Sequence, residues 1–240
     1  MNLSVKDAAG LLNVSEKTVY RWIKQGSIPA YRIHETIRFN RVELLEWATS
    51  QKIPLDPNIL SEPESGGRPL PAVAEAIRSG GVLYRVEGRT KHEVLANVVE
   101  HLNLPEEVNR EFLLKVLLAR EALGSTGVGD GIAIPHVRNP IVLHVSRPSI
   151  TIAFLEHPID FGSLDGKPVS ILFTLISPTV RAHLHLLSRL AFVLRDGRVR
   201  KILEKAGMRE AIFSAVGKVE ETVACQSARA GRKNSRSRAR

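Results

Sequence analysis

Residues 120–136 read Arg-Glu-Ala-Leu-Gly-Ser-Thr-Gly-Val-Gly-Asp-Gly-Ile-Ala-Ile-Pro-His, and this stretch decides the fold of the larger part of the chain. Upstream, a helix beginning near Pro105 carries Phe112, Val116 and Ala119 on one side and reaches Glu121. Glycines 124, 127, 129 and 131 then break regular structure, and Ile132–Ile134 is a short apolar run suited to a strand. Pro135 ends that strand and presents His136 at its edge. Two familiar glycine motifs are excluded. A phosphate-cradling P-loop needs Gly-Lys-Ser/Thr, whereas Gly131 precedes Ile132. A dinucleotide turn needs glycines that open a helix, whereas a proline-terminated strand follows here. His144 is the next histidine after His136 and does not stand at zinc-ligand spacing, so neither a metal nor a cofactor is expected.

Outward from this stretch, residues 72–224 alternate helical and strand patterns, which predicts an α/β layered domain with a mixed sheet. Before it, residues 54–71 read PLDPNILSEPESGGRPLP, whose five prolines and Gly-Gly pair make a linker. After it, residues 225–240 form a basic tail without apolar periodicity, expected to be disordered. The net charge of +9 is unevenly placed: residues 1–53 hold 8 basic and 5 acidic side chains, residues 54–228 hold 20 of each, and residues 229–240 hold 6 basic and no acidic ones. A neutral body with basic ends suits nucleic-acid contact by an end, although a basic tail also merely solubilises. No apolar run is long enough for a membrane span, the first residues lack the pattern of a secretory signal, and the only cysteine is Cys225. These features predict a cytoplasmic protein without membrane insertion.

The first 53 residues carry a second pattern. Ser4 caps a helix over Val5–Leu12, favoured by Asp7, and Asn13-Val14 makes a tight turn. Ser15 caps a second helix that runs to Gln25 and stops at Gly26, with Val19, Trp22 and Ile23 as its inward stripe. Lys17, Thr18, Arg21 and Lys24 lie mostly off that stripe. Two short helices around a tight turn, the second bearing basic residues, form a helix-turn-helix pattern. Tyr31–Phe39 then reads as strand, turn and strand, with Arg32 and Arg38 expected on one face as a wing suited to phosphate contacts. Asn40 and Glu43 resemble a capping box opening a third helix, with Val42, Leu45 and Trp47 available to its core.

The segments LSVKDAAGLLNVSEKTVYRWIKQGSIPA and RFNRVELLEW resemble the excisionase family, relatives of MerR-type winged helix-turn-helix DNA-binding domains, over nearly all of residues 1–50. The resemblance implies duplex DNA contact by Ser15, Lys17, Thr18, Tyr20, Arg21 and Lys24 in the second helix, and by Arg32 and Arg38 in the wing. Tyr20 can equally be half-buried. The bland reading is a small interaction module whose arginines are a solvated face. Relatives of this domain commonly bind as dimers, so a homodimer is open, although no heptad seam is visible.

Residues 78–215 resemble the IIA domain of the fructose–mannitol type in the bacterial phosphotransferase system, including its nitrogen-regulatory branch. The carriers are STGVGDGIAIPH and a second block, Phe161-Gly-Ser-Leu-Asp-Gly-Lys-Pro-Val169 followed by His183-Leu-His-Leu-Leu-Ser-Arg-Leu-Ala191. The resemblance implies that His136 is phosphorylated, that His183 is its neighbour, and that Arg120 is an anion partner. Arg120 equally pairs with Glu121 or another carboxylate on a bland reading. His185, two residues past His183, is read as a helix-surface residue. The chemistry suits these residue types, because a neutral imidazole attacks phosphorus near neutral pH and reversible transfer needs charge stabilisation without a metal. Backbone N–H groups of a phosphate loop over Ser125, Thr126, Gly127, Gly129 and Gly131 are expected to help Arg120 and His183 supply it.

These readings predict a DNA-binding regulator that takes phosphate on His136 from an HPr-type phosphocarrier. One alternative is a carrier passing phosphate to a separate IIB partner. Another is a IIA-type interaction regulator without DNA binding. Phosphate on His136 would also attract the basic face formed by Arg21, Lys24, Arg32 and Arg38, giving weak, salt-sensitive docking of the two domains.

Overall fold

The computed structural model describes residues 2–33, 36–51, 53, 70–137 and 145–222. The expected linker lies outside them except for Leu70 and Pro71, and the basic tail and His144 lie outside altogether.

The N-terminal elements are β1 (Asn2–Leu3), α1 (Val5–Leu11), α2 (Glu16–Lys24), β2 (Tyr31–Ile33), β3 (Thr36–Asn40) and α3 (Arg41–Ser50). Ser4 Oγ accepts from the Asp7 N–H while the Asp7 carboxylate accepts from the Ser4 N–H, closing a reciprocal cap on α1. Ser15 Oγ accepts from the Thr18 N–H at 3.2 Å and starts α2. That helix ends at Gln25, where Gly26 takes φ +65°. Val19 is fully buried, while Trp22 and Ile23 are half-buried, Trp22 meeting Trp47 of α3 edge-on at 5.1 Å. The three strands order as β1-β3-β2. β1 escaped the sequence reading because two residues show no alternation. The wing needs a correction. The hairpin register pairs Tyr31 with Arg38 and Arg32 with Ile37, so positions 32 and 38 fall in opposite alternation along the hairpin.

The larger unit comprises α4 (Val73–Gly80), β4 (Val82–Val86), α5 (Lys91–His101), α6 (Arg110–Ala122), β5 (Gly127–Gly129), β6 (Ile132–Ala133), β7 (Ser149–Ile159), β8 (Val169–Ile176), α7 (Val180–Val193), α8 (Gly197–Glu204) and a last helix, α9, over 209–222. Its five-stranded sheet is mixed, in the order β4-β7-β8-β6-β5, with β4 parallel to β7 and β6 parallel to β8. β7 and β8 are buried on both faces, so they read as near-continuous apolar runs. Ile150, Ile152, Phe154, Phe173 and Leu175 pack with α4, α7, α8 and α9. Ala153, Leu155, Leu172 and Ile176 pack with α5 and α6 on the other side. The result is a three-layer sandwich. Gly80 ends α4 directly against β7, where a Cβ would stand 2.4 Å from the Ile150 carbonyl.

The helix leading to the glycine stretch starts later than the sequence reading placed it. Asn109 Oδ1 accepts from the Phe112 N–H at 2.8 Å and caps α6. Its buried stripe is Leu113, Leu117 and Glu121, whereas Phe112 is 45% exposed. Apolar residues almost encircle this helix, so periodicity left its phase open.

The two units touch. Helix α3 packs on α7 and reaches β5. Leu184 is buried in the N-terminal core cluster, joined by half-buried Val180. Arg21 and Lys24 of α2 stay exposed, and the contact between the units is made by α3 through apolar groups.

Candidate functional site

The end of β6 positions His136. The Pro135 carbonyl accepts from the Leu175 N–H at 2.9 Å, and His136 bridges to Leu175 of β8, which holds its ring at the sheet's edge. The last turn of α6 brings Arg120 beside it. Ile134 O lies 2.7 Å from His136 Nδ1, and Arg120 Nε lies 3.1 Å from Nε2. A carbonyl only accepts and a guanidinium only donates, so the two contacts fix the tautomer with the proton on Nδ1 and the lone pair on Nε2. Arg120 Nη1 also donates to Gly124 O at 3.0 Å, tying its fork to the start of the glycine stretch.

His183 enters from the first turn of α7, which is capped by Thr179 Oγ1 accepting from the Ala182 N–H at 3.1 Å. Its ring centroid lies 5.2 Å from that of His136, tilted by 46°. The sequence-derived trio of His136, His183 and Arg120 is thus brought together. His136 is only 3% exposed and His183 only 1%. His185 is not the surface residue expected. It is half-buried beside Pro71, and burial, then Arg189, pushes its imidazole down to about 4, against the Pro71 backbone hydrogen bond. It stays neutral near pH 7.

Several donors of the stretch expected to cradle an anion are engaged within the protein. Thr126 N donates to Glu121 Oε2 at 3.0 Å, Thr126 Oγ1 donates to the same oxygen at 2.7 Å, and Gly127 N donates to Ser125 Oγ at 3.0 Å. Ser125 Oγ in turn donates to Phe161 O at 2.6 Å. These donors are committed inside the protein. Gly127 pairs with Ala133 in the sheet, and its missing side chain lets Ser163 approach, since a Cβ would meet Ser163 Oγ at 2.2 Å. Gly129, Asp130 and Gly131 all take positive φ and make the β5–β6 turn. Glu121 is the site residue that sequence reasoning missed. It is buried, bonded to Thr126, and 3.4 Å from Lys91 Nζ. A carboxylate next to Arg120 on a helix gave no sign of pointing inward.

A cleft of about 460 Å³ lies beside Arg120, lined by Arg120, Gly124 and Ser125 on one side and Ile28, Pro29, Glu43 and Trp47 of the N-terminal unit on the other. On α2, Lys17, Tyr20, Arg21 and Lys24 form an exposed face, Tyr20 at 52%. Ser15 and Thr18 instead form the cap, with their hydroxyls 3.0 Å apart. Arg38 is half-buried, and the Arg32 side chain lies outside the described residues.

Comparison with known proteins agrees with this division. The helix-turn-helix domain family matches residues 3–52. The family described as phosphoenolpyruvate-dependent sugar phosphotransferase system, EIIA 2, matches residues 76–218. A nitrogen regulatory protein of Pseudomonas aeruginosa is 38% identical over 151 residues, covering 61% of this chain and 95% of the relative. The fructose-specific EIIABC component of Bacillus subtilis is 32% identical over 148 residues, covering 60% of this chain but 23% of the relative. The crystal structure of nitrogen regulatory protein IIA-Ntr from Neisseria meningitidis superposes with a TM-score of 0.50 at 31% identity, over 56% of this chain and 91% of that one. Among the described residues, no helix is long and apolar enough to cross a membrane. The chain belongs to the EIIA 2 family of the phosphoenolpyruvate-dependent sugar phosphotransferase system and carries a helix-turn-helix domain ahead of its EIIA domain.

Proposed function

We propose that this protein is a cytoplasmic DNA-binding regulator that accepts a phosphoryl group on His136 Nε2 from an HPr-type phosphocarrier. The observation that carries this reading is the clamp on the His136 ring. Ile134 O holds Nδ1–H and Arg120 Nε reaches Nε2, so the lone pair is on the nitrogen beside a guanidinium. The Nε2 lone pair attacks the donor's phosphorus, the new N–P bond forms, and the donor's N–P bond breaks with its electron pair returning to the donor imidazole. Nδ1–H stays in place, and Ile134 O stabilises the positive charge that the ring gains. Arg120 gives up the lone pair and turns to the phosphoryl oxygens, while His183 stands ready as a further donor. The nitrogen-regulatory relatives and the exposed cationic face of α2 support a regulatory output.

Incubation with phosphoenolpyruvate, enzyme I and the carrier, read by intact mass, tests this. One acid-labile phosphate is expected, lost in His136→Ala; an adduct that survives that substitution refutes the assignment. The match to a fructose-specific EIIABC component favours a second reading, a carrier feeding a separate IIB protein. Rapid discharge of the phosphoprotein by purified IIB would select it.

A further inference from the structure

The acceptor histidine is buried, yet a phosphoryl donor that is itself a protein must bring phosphorus to within about 3–3.5 Å of Nε2. His136 is only 3% exposed and its neighbour His183 only 1%, which leaves a protein donor little of either ring to meet. The N-terminal unit lies against the elements that carry these residues. α3 lies on α7, the helix that carries His183, and touches β5 of the glycine stretch. Ile28, Pro29, Glu43 and Trp47 face Arg120, Gly124 and Ser125 across the cleft. Leu184, the residue after His183, is 5% exposed and buries its side chain in the helix-turn-helix core, with no place in either cluster that packs the sheet.

We infer that the helix-turn-helix unit is the occupant of the EIIA domain's acceptor face, so that its docking through α3 onto Val180 and Leu184 and phosphorylation of His136 by a protein donor exclude one another. This rests on the proposed acceptor role of His136 for its regulatory meaning, but the capping itself is a matter of access. The docked state leaves Lys17, Tyr20, Arg21 and Lys24 in solvent, so what it hides is the phosphorylation site and not the cationic face of α2. Opening must precede transfer, and the observed transfer rate then scales with the open fraction.

Leu184→Asp in the full chain tests the proposal, because an aspartate there opposes the apolar docking while leaving both sheet-packing clusters untouched. Val180→Asp, one turn earlier on α7, serves as the second variant should Leu184→Asp lose its circular dichroism signal. Reaction of His136 with diethyl pyrocarbonate, followed by peptide mass, reads access without any phosphoryl donor. The variants are expected to react about tenfold faster or more than the parent, with the same acceleration in phosphorylation by the carrier. Equal carbethoxylation rates in parent and folded variant overturn the cap. Faster carbethoxylation with no phosphorylation by the carrier in any form supports the cap and overturns the acceptor reading instead.

Discussion

At the scale of single residues, the position of His136 depends on a carboxylate that never touches it. Glu121 is buried at the end of α6, next in sequence to Arg120, and it takes both the N–H and the hydroxyl of Thr126. Thr126 O in turn accepts from the Ile134 N–H at 3.0 Å, two residues before His136, whose Nδ1 leans on Ile134 O. A displacement at Glu121 is therefore relayed through three successive hydrogen-bonded links to the imidazole. Glu121→Gln keeps the shape but replaces two charge-assisted bonds and leaves Lys91 without its partner at 3.4 Å. It should cost about 1–3 kcal/mol of stability. Because sub-ångström positioning governs transfer, it should also slow phosphorylation roughly tenfold or more. Denaturant melts and phosphorylation kinetics measured on one preparation check both. Glu121→Asp should recover less than half of the loss, since the shorter arm no longer spans to Thr126. A variant with parental stability and rate would show that Glu121 only fills space.

At the scale of elements, α2 and the β2–β3 hairpin divide the expected DNA contact unequally. Lys17, Tyr20, Arg21 and Lys24 project from one exposed helix, whereas Arg38 is half-buried opposite Tyr31, whose hydroxyl donates to Glu43. Replacing Arg21 by Ala should weaken duplex binding and change sequence preference by about 1–3 kcal/mol if it reaches a base edge. Replacing Arg38 should weaken all sequences alike and lower the salt slope by about one unit. Fluorescence anisotropy on several duplexes at two salt concentrations separates these effects. DNA affinity confined to residues 229–240 would remove the helix-turn-helix from the account. The elements also show where sequence was legible. α1 and α2 were readable because Ser4, Ser15 and Gly26 announce caps through local hydrogen bonds and a positive φ. His136 and Arg120 were readable because the motif between them is long. The phase of α6, the hairpin register and the inward turn of Glu121 were not, because each is set by partners distant in sequence or by a choice between two equally apolar faces.

At the scale of the whole molecule, the EIIA domain and its N-terminal partner form a two-state device whose states differ at the acceptor face. A phosphoryl group adds about −1.5 to −2 charges at neutral pH. On Nε2 it would share the neighbourhood of Arg120 with the cleft that Glu43 lines from the other unit. Like charge and lost space both act against re-docking of α3, and the apolar contact at Leu184 is what they must overcome. By linkage, if docking excludes phosphate, phosphate must favour release by the same free energy, typically about 1–3 kcal/mol. The freed unit then stays joined to the EIIA domain only through the chain that connects them. Stoichiometric phosphorylation should raise the radius of gyration in small-angle scattering and speed hydrogen exchange in α3 and in the first turns of α7. Leu184→Asp should do the same without phosphate. Because the contact is apolar, this opening should persist at high salt, where a contact between the phosphate and the basic α2 face would fade. α2 is already exposed when docked, so affinity for a single DNA site should change little, and the output should lie in how two bound copies can be spaced. Unchanged scattering and exchange after full phosphorylation would refute the release. A radius of gyration that falls instead would show that phosphate draws the cationic face of α2 inward.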